Sequence, residues 1–242
     1  MCTVSWLRQS DTYVLLCNRD ERHTRKPAQG PQLNNAHGVP LIAPVDGDHG
    51  GSWIGVNHFG VTLCLLNRYG DSLEEPERDF TSRGLLLLEL MHCRDRSEFQ
   101  KFLSEIDLRN FRPFTLAMVS ATEPAMLVHW TGQGSIFHPD AESELPLVSS
   151  SLREPEVGKL RKEHFQSLLG GNTPNVAVLH EYHRSHFPNR GPYSVCMHRE
   201  DAGTVSLSVI TVRKEQIDFR YHEGPPCSNN EPDSITLARV KQ

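Results

Sequence analysis

The sequence has no long apolar run, no excess of basic charge and no closely paired cysteines. Its apolar runs, such as Leu85 to Leu88, fall far short of the roughly 20 residues that a membrane helix needs. The chain turns polar between Trp6 and Ser10 before an apolar stretch can form, so no signal peptide is visible. A cytoplasmic protein without a membrane span is the expectation. The 25 basic residues are outnumbered by 30 acidic ones, for a formal net charge of −5. That balance argues against a nucleic-acid partner, which calls for a basic stripe or a high pI. The six cysteines stand at wide, irregular spacings with no C-x-x-C, which leaves a zinc ribbon, a thioredoxin motif and c-type haem attachment unsupported. Cys17, Cys64 and Cys196 lie in strand-like apolar runs and read as small buried hydrophobes. No metal site is expected.

What is present is a 242-residue chain with 37% hydrophobic residues and a mean hydropathy of −0.46, the profile of a soluble globular protein. Apolar runs of strand length include 13–17, 52–57, 61–66, 114–119, 126–130, 147–150, 193–198, 204–211 and 217–221. Helical periodicity occupies 80–93, 97–106, 156–169 and 175–183. Residues 27–51 hold Pro27, Gly30, Pro31, Pro40, Pro44 and Gly47 and read as loop. No linker separates two cores and no repeat is visible. The expectation is one α+β domain over residues 1–224, with a mobile tail at 225–242.

The chain opens Met1-Cys2-Thr3. Trimming of Met1 leaves Cys2 with an α-amine that titrates near 7.7–8.0, a general base carried by the same residue as the nucleophile. A second polar cluster, Asn18-Arg19-Asp20-Glu21, follows the first buried strand. Alternation along a strand sends Asn18 and Asp20 to one face and Arg19 and Glu21 to the other. Asn67-Arg68 closes a third apolar strand, where an Asn amide can donate to an oxyanion or satisfy a turn.

Met1-Cys2, the tetrad Asn18 to Glu21 followed by Arg25 and Pro27, the segment Gly50-Gly51-Ser52-Trp53-Ile54-Gly55 and Asn67 together resemble the NRDE family, also called the transport and Golgi organisation two family. The resemblance implies a four-layer αββα sandwich of the N-terminal nucleophile hydrolase type. It also implies Cys2 as nucleophile, Asp20 as anchor of the α-amine and Asn67 as oxyanion donor, with Asn18 beside them. The chain departs from the cysteine hydrolases at one place: Cys17 stands where their supporting Arg is expected. The resemblance further implies haem binding and trafficking, with haem donor or acceptor proteins as partners. A cysteine amidohydrolase acting on linear non-peptide C–N bonds, and a binding module for acyl-CoA or a lipid metabolite, are the alternatives.

Haem propionates favour cationic partners, and Arg19, Arg25 and Arg68 could rim one mouth together with Glu21. Such a rim suits haem or another amphipathic anion, and equally an N-acyl amino acid. His49 and His58 flank the glycine-rich segment as candidate ligands, and Trp53 serves as core or as platform. The densest histidine cluster, His180-x-x-His183-x-x-His186, reads as a solvated helix end.

Overall fold

The structure, a computed structural model, describes residues 2–69 and 79–240. Two antiparallel sheets face each other. The first takes the order β10-β1-β2-β11-β12-β13, from strands Leu147–Ser149 (β10), Cys2–Gln9 (β1), Thr12–Arg22 (β2), Ala202–Val212 (β11), Gln216–Glu223 (β12) and Asp233–Ala238 (β13). The second runs β3 to β9 in chain order, over Gln29–Ala36, Val39–Val45, Ile54–Asn57, Thr62–Asn67, Phe114–Val119, Met126–Trp130 and Ser135–His138. Helices Arg83–Leu90 (α1) and Arg96–Glu105 (α2) cover the second sheet; Glu154–Leu169 (α3) and Val176–Arg184 (α4) cover the first.

Three apolar cores separate these layers. Val4, Trp6, Leu15, Ile54, Val56, Cys64 and Ile210 meet between the sheets. Leu63, Leu65 and Leu116 pack against Leu86, Leu87 and Phe99 of α1 and α2. Leu16, Leu207 and Val209 pack against Phe165, Leu179 and Tyr182 of α3 and α4. This is the four-layer αββα sandwich. Strands buried on both faces explain why β2 and β6 contain the near-continuous apolar runs 13–17 and 61–66.

Three segments depart from the sequence reading. Residues 27–51, expected as loop, contain β3 and β4. Their prolines sit where pairing is sparse, and His37 (φ 50°) with Gly38 (φ 87°) makes the tight reversal between them. Residues 193–198, expected as strand, form only a bridge from His198 to Gly203. The Ser194 hydroxyl lies 2.8 Å from the Gly191 carbonyl and 2.7 Å from that of Cys196, its one proton shared between them, which bends the segment out of any ladder. The segment after Gly224, expected as a mobile tail, carries β13, whose Ile235 and Leu237 pack against the inter-sheet core.

The glycine-rich segment is fixed by a backbone-to-backbone approach. Ser52 N–H donates to the Gly84 carbonyl at 3.1 Å, where α1 begins. A Cβ on Gly84 would lie 2.7 Å from the Ser52 nitrogen, and one on Gly51 would lie 2.5 Å from the Gly84 carbonyl carbon. Gly84→Ala is expected to cost about 2 kcal/mol through overpacking, a fall in Tm of roughly 4–8 °C for a chain of this size. Calorimetry checks this, and an unchanged Tm would contradict the close approach.

Candidate functional site

Residue alternation on β1 and β2 creates two separate polar groupings. Cys2 pairs with Arg19 and Val4 with Cys17, so these side chains point between the sheets. Thr3 pairs with Asn18, and those side chains point the other way, toward α3 and α4.

On the inter-sheet side lies a cleft of about 490 Å³ lined by Cys2, Arg19, Glu21, Arg25, Asp46, His49, Trp53, Asn67, Phe80, Arg83 and Arg112, among others. Cys2 is only 5% exposed and forms part of the floor. A hydrogen bond from the Cys17 side chain lowers the Cys2 thiol below its ordinary value against the opposing effect of burial. The same bond, with burial, holds the Cys17 thiol well above its ordinary value. Of the two thiols, Cys2 is the one that lines the cleft, while Cys17 Sγ lies 3.8 Å from the Asn18 carbonyl. The Cys2 nitrogen donates to Ser149 Oγ on β10 at 3.1 Å. Met1 lies outside the described residues.

The cleft wall is a charge network. The Arg19 guanidinium stacks 4.2 Å from the Trp53 ring centroid and donates to Asp46 at 2.5 Å, with Glu21 at 3.5 Å. Arg25 donates to Asp46 at 2.6 Å and to Asp48 at 2.9 Å. Asp46 also accepts from the backbone N–H groups of Asp48 and His49, closing the turn into the glycine-rich segment. Trp53 is both core and platform: it belongs to the inter-sheet core, and its face carries Arg19. Its indole N–H is buried without an acceptor among the described residues.

On the helix side, Asp20 and Arg161 form an ion pair at 3.3 Å, each side chain 1% exposed. Asp20 also accepts from Thr204 at 2.6 Å, and Arg161 donates to Thr3 Oγ1 and to the carbonyls of Tyr193 and Ser194. Asn18 Nδ2 donates to the carbonyls of His183 and Val195. Its oxygen must then face His183 Nδ1 at 3.0 Å, so Nδ1 carries the ring proton. Nε2 accepts from the Ser5 hydroxyl at 2.9 Å.

His183 is therefore a neutral core residue and not part of a solvated helix end. Burial pushes it from 6.5 to about 3. Below pH 6.5 the unfolded chain takes up a proton that the fold excludes. Stability from this group is complete above pH 6.5 and falls by about 1.4 kcal/mol per pH unit on acidification toward pH 3. Burial pushes His129 to about 4, so it adds to the same window. Urea melts between pH 7 and 5 should show the loss, and His183→Gln should reduce the slope; pH-independent stability would contradict the assignment.

Of the residues expected at the site, Cys2, Arg19, Glu21, Arg25, His49, Trp53 and Asn67 line the cleft. Asn18 and Asp20 lie on the helix side of the same strand, with the partners just given. Arg68 turns instead to a second cleft of about 330 Å³ beside His129 and Lys159, which Asn67 and Ser149 also border. His58 follows β5 at the end away from Trp53, where its ring meets Phe59. Arg68 and His58 are therefore corrected out of the first cleft's lining. The expected basic rim is corrected as well, because Arg19 and Arg25 are already paired with Glu21, Asp46 and Asp48. Sequence reasoning missed Asp46, Ser149, Arg161 and the role of Cys17 as a thiol partner. Only Cys17 carried a signal, its place in the pattern where Arg was expected.

The fold is shared with solved N-terminal nucleophile hydrolases. Penicillin V acylase from Agrobacterium tumefaciens superposes with TM-score 0.59 at 10% identity, over 98% of this chain and 86% of that one. The Cys-to-Ala mutant of the conjugated bile acid hydrolase from Clostridium perfringens gives 0.57 at 11% identity, over 100% and 97%. The Caenorhabditis elegans ortholog of N-acylethanolamine-hydrolyzing acid amidase gives 0.55 at 11%, over 87% and 92%. No curated protein matches the chain by sequence. Among the described residues no helix is long and apolar enough to cross a membrane. The model of the Transport and Golgi organisation 2 family matches residues 1–224, and the chain belongs to that family.

Proposed function

We propose that this protein uses the Cys2 thiol to cleave a linear, non-peptide C–N bond in a small amide by acyl transfer to water. The observation that carries the reading is the Cys2 thiol on the cleft floor, drawn toward ionisation by Cys17. With Met1 removed, the nitrogen now held by Ser149 becomes a primary amine with an ordinary value near 7.7–8.0. That amine takes the thiol proton as the sulfur attacks the carbonyl, and returns a proton to the leaving nitrogen. Water then releases the acyl group from the thioester. The Asn67 amide, whose Nδ2 donates one proton to the Tyr69 hydroxyl at 2.9 Å and keeps a second, is the donor in the cleft lining for the developing oxyanion. The superposed structures are named as an acylase, a hydrolase and an acid amidase, which supports the reading.

The cleft lining, with Arg83 and Arg112 beside the Arg19 and Arg25 network, suits the carboxylate of an amide that also carries an apolar acyl chain, as in an N-acyl amino acid. Turnover of a panel of N-acyl amino acids, followed by release of free amine, tests this. Release that depends on Cys2 supports it, and no release from any member contradicts it.

Haem carriage is a second reading with one observation in its favour: Cys2 and His49, two groups able to ligate iron, line the same cleft. Pairing of Arg19 and Arg25 with acids weighs against it by removing two expected propionate partners. A Soret titration separates the readings. A saturable one-to-one shift altered by Cys2→Ala or His49→Ala supports haem, and a flat response removes it.

A further inference from the structure

Away from the cleft, four side chains converge from three parts of the chain. His186 follows α4, Cys196 and His198 lie in the bent segment before β11, and Cys227 sits in a short 3-10 turn before β13. One ligand atom from each lies within 4.8 Å of all the others. His198 Nε2 is 3.2 Å from His186 Nε2, 3.5 Å from Cys196 Sγ and 3.6 Å from Cys227 Sγ.

Hydrogen bonding through His198 Nε2 accounts for only one of its three contacts. A single imidazole nitrogen carries either one proton or one lone pair, so at most one of the three neighbours can be satisfied by it. A cation at the centre satisfies all four ligands at once. Zinc bonds of about 2.3 Å to sulfur and about 2.05 Å to nitrogen put tetrahedral edges near ~3.35 Å for N–N and ~3.55 Å for N–S. The observed edges of 3.2, 3.5 and 3.6 Å agree within the tolerance expected of such a site.

We propose that His186, Cys196, His198 and Cys227 form a structural zinc site. Two thiolates and two neutral imidazoles balance a divalent ion, so the half-buried site holds no net charge. Four protein ligands leave no open position, which is the pattern of a structural rather than a catalytic centre. The exposed Arg190, 3.4 Å from His198 Nδ1, must turn aside when zinc binds, because Nδ1 then carries the proton. The ion would tie the end of α4 and the β13 approach to the 193–198 segment, which has almost no ladder bonds of its own. That segment supplies the carbonyls that hold Arg161 and Asn18, so the site would brace the floor behind Cys2.

The test is a Co(II) titration of the full chain after reduction and chelator treatment. The expected result is one equivalent bound, with the absorption of tetrahedral cobalt and a thiolate charge-transfer band, both lost on adding zinc. Cys227→Ser and His186→Gln, at half-buried positions that should tolerate exchange, are expected to weaken binding by about 100-fold or more, since even second-layer changes cost about 10–100-fold. Cys2→Ser should leave the spectrum intact. Absence of saturable binding would overturn the proposal, as would binding that follows Cys2 instead of Cys227. A reduced chain that binds no metal and forms a Cys196–Cys227 disulfide on oxidation would make the pair a redox couple and not a zinc site.

Discussion

Replacing Cys2 with alanine is expected to lower amide turnover by at least about 10³-fold while leaving the fold intact. Loss of a covalent nucleophile removes the chemical step itself, and single deletions within such a unit cost factors of this order or greater. The side chain is small and borders the open cleft from its floor, so its truncation leaves the inter-sheet packing of Val4, Trp6 and Leu15 in place. Cys17→Ala gives a graded version of the same experiment. It removes the hydrogen bond that favours the Cys2 thiolate but leaves the nucleophile. The acidic limb of the pH–rate profile should move upward, with a loss at neutral pH much smaller than that of Cys2→Ala. Measuring kcat/KM from pH 5 to pH 9 for both variants checks the pair. An unmoved limb in Cys17→Ala would show that the two thiols do not share a proton.

The second large effect is on stability. Asp20→Ala is expected to destabilise the protein by about 3–5 kcal/mol, because it strands the buried Arg161 guanidinium without its counter-charge. At about 2–4 °C per kcal/mol for this chain length, Tm should fall by roughly 6–20 °C. The loss extends beyond one ion pair, since Arg161 also holds Thr3 and the carbonyls of Tyr193 and Ser194. Removing both partners together, as Asp20→Ala with Arg161→Met, should cost less than the sum of the single changes, because no uncompensated charge remains. Differential scanning calorimetry of the three variants measures this coupling. Strict additivity would contradict a direct interaction.

The local polarity of the site was legible because it follows from periodicity, and the layer order because the family resemblance implies it. The alternation of Asn18, Arg19, Asp20 and Glu21 divides them between the two faces of β2, as the register with β1 and β11 shows. Five residues expected from the sequence to bind a ligand, Arg19, Glu21, Arg25, His49 and Trp53, line the cleft, the first two through that alternation. What was not legible depends on long-range pairing. Arg161 is separated from Asp20 by 141 positions and Asp46 from Arg19 by 27, and no local pattern announces either pair. His183 looked solvated because helix spacing gives the face but not its neighbour, which is the polar side of β2. The 193–198 segment has strand composition, but Ser194 diverts its carbonyls. The search for C-x-x-C also passed over a cluster that the fold assembles from positions 186, 196, 198 and 227.

The central claim is that Cys2 acts as a nucleophile with its own α-amine as base, and acid-quenched mass spectrometry of the N-terminal peptide tests it most directly. The full chain, incubated briefly with an N-acyl amino acid of medium chain length, should yield a peptide that begins at Cys2 and carries the acyl mass on sulfur. A peptide that retains Met1, with Cys2 unmodified throughout turnover, would contradict the account.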